Sequence, residues 1–90
     1  MKYITYMVLF EDGYLYTGQT GNLHRRNNDR RRKFGTGFTV VYREAFETRT
    51  EALARERQLK GWTRKKKEAL IQGQTERLRG LAMRRQGEFL

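Results

Sequence analysis

Apolar positions along the chain fall into short blocks whose spacing changes from two to about three and a half. Residues 3–10 read Tyr-Ile-Thr-Tyr-Met-Val-Leu-Phe, apolar on both alternating faces. That predicts a strand covered on both sides, with Tyr6 among hydrophobes. The run stops at Glu11-Asp12-Gly13 and resumes at Tyr14-Leu15-Tyr16-Thr17 before Gly18. Asp-Gly between two such runs is a hairpin signal. On the return strand Tyr14 and Tyr16 share one face, and Leu15 and Thr17 the other. Gly18 either terminates that strand or marks a close approach to its backbone. Gly21-Asn22 then opens a basic segment, 22–33, with Asn22 as helix N-cap. Within it Leu23 and Arg26 share a face, so Leu23 anchors the helix and aims Arg26 at the sheet. Residues 34–37 form a turn or loop, and Phe38–Phe46 is a third, β-rich strand that pairs antiparallel with the hairpin.

The second half is helical. Thr48 and Glu51 have capping-box spacing, and the helix they open runs to Lys60 and stops at Gly61. Trp62 packs in the joint. Thr63 caps a further helix, Arg64 to Gln72, which Gly73 ends. A last helix from Thr75 to Gln86 docks by the narrow stripe Leu78, Leu81 and Ala82. The expected fold is α+β: a small three-stranded antiparallel sheet flanked by helices, in the order ββαβααα. One domain spans residues 1–90, with its core at about 3–72 and a helical extension over 73–90. Along the helix before Gly61, Ala52, Glu56 and Leu59 fall at i, i+4 and i+7, a stripe apolar except for Glu56. An unpaired charged carboxylate there costs roughly several kcal/mol. Glu56 therefore either pairs with a neighbouring arginine or holds a metal ion at the floor of a site.

Charge narrows the function classes. Twenty Lys and Arg against ten Asp and Glu leave +10 on ninety residues, which implies a polyanionic partner. No stretch approaches the roughly 20 apolar residues of a spanning helix, and the N-terminus lacks the basic region and cleavage site of a signal peptide. Without cysteine there is neither a disulfide framework nor a thiolate metal site. Cytoplasm or nucleoid is the expected compartment. Arg25, Arg26, Arg30, Arg31, Arg32 and Lys33 crowd into one predicted helix, a density that repels itself unless a polyanion is bound. With Lys60 and Lys65 they make up the expected nucleic-acid-binding surface. His24, beside two arginines, reads as a surface residue. Two strands presenting Tyr6 and Tyr16 and a helix presenting Arg26 are expected to converge on one phosphate.

These residues resemble the GIY-YIG nuclease superfamily, and in particular its small stand-alone bacterial members. Tyr6 matches the tyrosine of the first motif. Tyr16-Thr17-Gly18 matches the second motif, ten residues on, and Arg26 follows Gly18 by eight. Glu56 matches the helix glutamate, inside the block from Glu51 to Ile71. The match covers about residues 3–72. It departs from the family at four places. Gly-Ile does not precede Tyr6. Arg30 stands where many members carry a histidine. The segment between the first helix and the third strand is short. A downstream asparagine has no clear counterpart, Gln72 and Gln74 being the nearest polar candidates.

The resemblance implies a metal-dependent DNA endonuclease with Tyr6, Tyr16, Arg26 and Glu56 as catalytic residues. Phosphodiester hydrolysis needs an activated water, neutralised phosphoryl oxygens and help for the leaving oxygen. Glu56 supplies one hard oxygen ligand, which suits Mg²⁺ or Mn²⁺. Arg26 binds the scissile phosphate as a planar fork. Free tyrosine titrates near pH 10, so a tyrosine base needs positive charge beside it. The resemblance implies Tyr6 as that base and Tyr16 as the group positioning water or phosphate; the residues alone leave both choices open. Arg30 binds phosphate and cannot accept a proton. DNA is the expected partner ahead of RNA, with single-stranded or structured DNA favoured if Phe34 and Phe38 stack bases. The alternative is a basic nucleic-acid-binding module without catalysis.

Overall fold

In the computed structural model, which describes residues 2–85, the elements are β1 (Tyr3–Phe10), β2 (Leu15–Thr20), α1 (Leu23–Phe34), β3 (Phe38–Phe46), α2 (Arg49–Lys60) and α3 (Arg64–Arg85). The strands form one antiparallel sheet in the order β2-β1-β3. The run that is apolar on both faces is the central strand, and Thr5, Tyr6, Met7 and Val8 are all fully buried. The hairpin closes over Glu11-Asp12-Gly13. Gly13 takes φ 92 and donates its N–H to the Phe10 carbonyl, while the Asp12 carboxylate accepts from Tyr14 N. A left-handed third loop residue favours glycine because it has no Cβ to clash.

One sheet face is the core. Thr5 donates its hydroxyl to the Ala52 carbonyl of α2 at 2.7 Å. Met7 and Tyr42 of the sheet pack with Leu59 of α2, and Leu15, Val41, Trp62, Leu70 and Ile71 pack around them. Met7 faces Tyr42 and Val8 faces Val40, so Val41 is an extra residue that bulges β3. The opposite face carries Tyr6, Tyr16, Phe10 and Phe38, and arginines of α1 lie over it.

The helix starts follow their caps. Asn22 accepts from Arg25 N, and Thr48 and Glu51 form both halves of the capping box. Three boundaries differ from the sequence reading. First, β2 continues through Gly18 to Thr20, because Gly18 pairs with Tyr6 inside the ladder. Second, α1 continues through Phe34 and ends at Gly35, whose φ of 76 suits glycine. Third, Gly73 does not end a helix: the two expected C-terminal helices are one, α3. Glycine inside a helix costs only about 1 kcal/mol against alanine. Here the turn is also tied to the sheet, since the Gln74 amide accepts from Arg43 N at 3.3 Å and donates to Arg43 O at 2.7 Å. Residues 86–90, the end of the expected helical extension, lie outside the described residues.

Candidate functional site

Gly18 shapes the site. A Cβ built on it would lie 2.8 Å from Tyr16 Cε2 and 2.9 Å from the Tyr6 hydroxyl. The missing side chain lets both rings lean across β2, with centroids 6.3 Å apart. Of the two readings of Gly18, close approach is the one the fold uses. The Tyr6 phenol is fully buried, whereas Tyr16 is half-buried and opens onto a groove.

That groove, about 780 Å³, runs between the hairpin turn and α1 and brings together Tyr16, Arg26, Arg30 and Lys33. Phe10, Tyr14, Glu11 and Asp12 line the hairpin side. On the far side of Arg26 a second concavity of about 730 Å³ is bounded by Thr20–Asn22, Arg25 and Asp29. Arg26 thus stands between two hollows, exposed and without a side-chain partner among the described residues. Arg30, one turn on, is packed instead. Its guanidinium carbon lies 5.6 Å from the Tyr6 ring centroid, 5.3 Å from that of Tyr16 and 5.7 Å from that of Phe38. It donates to the Tyr6 hydroxyl at 3.3 Å.

Glu56 projects from α2 with its side chain only 17% exposed, and its carboxylate meets Lys60 Nζ at 2.9 Å. The expected pairing with an arginine is therefore a pairing with lysine, one helical turn along. The hydrogen bond to Glu56, then its Coulomb attraction, holds the Lys60 ammonium above its usual range; burial opposes slightly, and Tyr16 and Tyr14 add to the rise. Glu56 itself is not among the residues that line the Tyr16 groove. Among the described residues no group of three or more acidic or histidine side chains gathers to hold a metal. Glu56 alone fits the modest demand of Mg²⁺, which keeps most of its waters and accepts few carboxylates. Lys60 is 56% exposed, so its side chain can swing away from that carboxylate.

The arrangement of strands, tyrosine pair and α1 arginine can be set against known proteins. The GIY-YIG catalytic domain matches residues 2–69. The chain belongs to the GIY-YIG family. UPF0213 proteins from Staphylococcus aureus strains, among them Mu3 and N315, are 38% identical to it over 77 residues, covering 78% of this chain and 94% of theirs. The solution NMR structure of a UPF0213 protein from Bacillus halodurans has a TM-score of 0.57 and 30% identity, over 80% of this chain and 84% of that one. GIY-YIG domains are associated with endonucleases, with nucleic acid as substrate and divalent metal ions as general cofactors.

The other expected site residues divide by place. Arg25, Arg31, Arg32 and Lys33 are exposed along α1; Lys60 closes α2; Lys65 is exposed in the first turn of α3. His24 is a surface residue within 3.4 Å of the Asn28 amide. Phe38 is half-buried beneath Arg30 and Arg31, so it is no open platform, and the Phe34 side chain lies outside the described residues. Gln74 is committed to the β3 backbone, and exposed Gln72 donates to Glu76 at 3.4 Å. Sequence reasoning missed Tyr14. It is 61% exposed at the groove, with its ring 6.3 Å from that of Phe10. Its signal was the face it shares with Tyr16. No helix among the described residues is long and apolar enough to cross a membrane.

Proposed function

We propose that the protein is a divalent-metal-dependent DNA endonuclease that breaks phosphodiester bonds in the groove beside Tyr16. The observation that carries this reading is the meeting of one open phenol with two arginines, on a chain of the GIY-YIG family. A backbone phosphate entering the groove is received by Arg26 and Arg30 as paired forks. A water aligned by the Tyr16 hydroxyl attacks phosphorus: the new P–O bond forms as the ester P–O bond opposite it breaks, the phenol relays the water's proton to solvent in the open groove, and the departing alkoxide takes up a proton from solvent. Tyr16 is assigned this role ahead of Tyr6 because the Tyr6 phenol is buried and its oxygen is engaged by Arg30. Glu56 would hold the metal ion once Lys60 releases it, and that ion would neutralise charge on the phosphoryl oxygens.

The proposed substrate is DNA with unpaired bases. Tyr14 is the large exposed aromatic at the groove, backed by Phe10, whose ring is in turn 6.2 Å from that of Phe38. A base with a free π-face can stack there while its phosphate reaches the arginines; a base inside a duplex cannot. Cleavage of labelled single-stranded, duplex, flap and branched DNA, with and without Mg²⁺ or Mn²⁺ and beside Glu56→Ala, tests the proposal. Metal-dependent cutting of unpaired DNA that Glu56→Ala abolishes supports it.

A second reading rests on the Glu56–Lys60 pair. If that pair is permanent, the chain is a binding module without catalysis, and the same assay gives binding without cutting in every metal.

A further inference from the structure

We infer that Tyr6 is a positioning residue for Arg30, and that Arg30, held in this way, is the dominant phosphate-receiving cation of the groove. The inference rests on the groove being a nucleic-acid site, and deepens that reading by assigning which cation leads.

Arg26 and Arg30 both line the groove, but their surroundings differ. Arg26 is exposed and unpartnered among the described residues, so its rotamers must be ordered when a phosphate arrives. Arg30 is ordered beforehand. Tyr6, Tyr16 and Phe38 surround its guanidinium at 5.3–5.7 Å, the Tyr6 hydroxyl accepts from Nη2 at 3.3 Å, and Asn27 Oδ1 accepts from Nη1 at 3.4 Å. These contacts join one guanidinium to β1, β2, β3 and its own helix. Among the described residues no carboxylate forms an ion pair with Arg30, so its charge is oriented there without being neutralised. A preorganised fork loses less conformational freedom on binding than a mobile one. The buried Tyr6 hydroxyl has its structural explanation in the same contact: it is the acceptor that orients Arg30. Phenylalanine at residue 6 would keep the ring and remove only that acceptor.

The test is fluorescence anisotropy of a labelled 20-nucleotide single-stranded DNA in EDTA, so that cleavage plays no part. Arg30→Ala is expected to weaken binding roughly tenfold, the worth of a charge-assisted hydrogen bond. Arg26→Ala is expected to weaken it less. Tyr6→Phe is expected to cost roughly threefold in the wild-type background and nothing when combined with Arg30→Ala. Arg30→Lys keeps the charge but not the fork and is expected to bind as weakly as Arg30→Ala. The Arg30 Nε–Hε resonance, followed by NMR, is expected to shift or broaden in Tyr6→Phe. Full affinity in Arg30→Lys, an Arg26→Ala loss exceeding that of Arg30→Ala, or equal Tyr6→Phe losses in both backgrounds would each overturn the inference. Absence of binding by the wild-type protein would instead remove the nucleic-acid reading on which it stands.

Discussion

Replacing Gly18 by alanine adds one methyl group at the point where β2 is crossed by two rings. The new Cβ would sit 2.8 Å from Tyr16 Cε2, 2.9 Å from the Tyr6 hydroxyl and 3.0 Å from Tyr6 Cζ. Real Cβ atoms essentially never come closer than 3.0 Å to such neighbours. Tyr16 can move outward into the groove, but Tyr6 is fully buried with Arg30 over it. Relief must therefore come from β1 or from expulsion of the Tyr6 ring. Overpacking of this kind costs about 1–3 kcal/mol. In a domain of this size each kcal/mol moves the melting temperature by about 4–8 °C. Gly18→Ala is expected to melt about 5–20 °C below wild type, and to lose DNA affinity because the Arg30 cage opens. Circular dichroism melts and urea titrations measure the first effect, and anisotropy the second. Gly73→Ala is the control, since nothing lies within 4 Å of its added Cβ and it sits inside α3. It is expected to stabilise by about 0.5–1 kcal/mol, the helix-propensity difference. A Gly18→Ala protein that melts and binds like wild type would refute the claim that this glycine exists to admit the rings.

Further expectations follow from the same geometry. Tyr14→Ala is expected to reduce affinity for single-stranded DNA by roughly tenfold, from the worth of one stacked base, and to leave duplex affinity nearly unchanged by anisotropy. Alkali is expected to destabilise the fold from about pH 10 upward. Burial, then the hydrogen bond donated to Glu44, raises the Tyr42 phenol above its ordinary 10.0, so the unfolded chain loses that proton first. Stability from the protonated phenol is thus full below pH 10 and declines as pH rises through the raised value; Lys60, raised above 10.5, adds the same sign at higher pH. Urea titrations at pH 8 and above pH 10 are expected to show the fall, less steeply in Tyr42→Phe.

Much of this was legible in the residue pattern because the signals were local. The capping box at Thr48, the Asn22 cap and the Asp12-Gly13 turn each depend on neighbours within a few residues, and each forms as read. The central strand was legible because both of its faces are apolar. What failed was punctuation by glycine. Gly18 lies within a strand and Gly73 within a helix, because a cross-strand partner in one case and the Gln74–Arg43 hydrogen bonds in the other outweigh a small local penalty. Gly61 does sit at a helix end, but with φ of −82 it needs no left-handed freedom there. The candidate site residues were picked out by spacing. Their burial was not legible, because it depends on long-range packing: nothing local distinguishes the sealed phenol of Tyr6 from the open one of Tyr16, or Arg30, caged by rings, from Arg26, exposed and unpartnered among the described residues. Lys60 was counted as a DNA contact, and its pairing with Glu56 is an i, i+4 relation that was visible in the sequence.

The central claim is that the groove beside Tyr16 is where a phosphodiester bond is broken. Single-turnover cleavage of labelled single-stranded DNA by Tyr16→Phe, at saturating protein with Mg²⁺ or Mn²⁺, tests it most directly. The account expects the rate to fall by at least roughly a hundredfold, as when a proton-transfer group is removed, with DNA affinity held within about twofold. A Tyr16→Phe protein that cuts at the wild-type rate would contradict it.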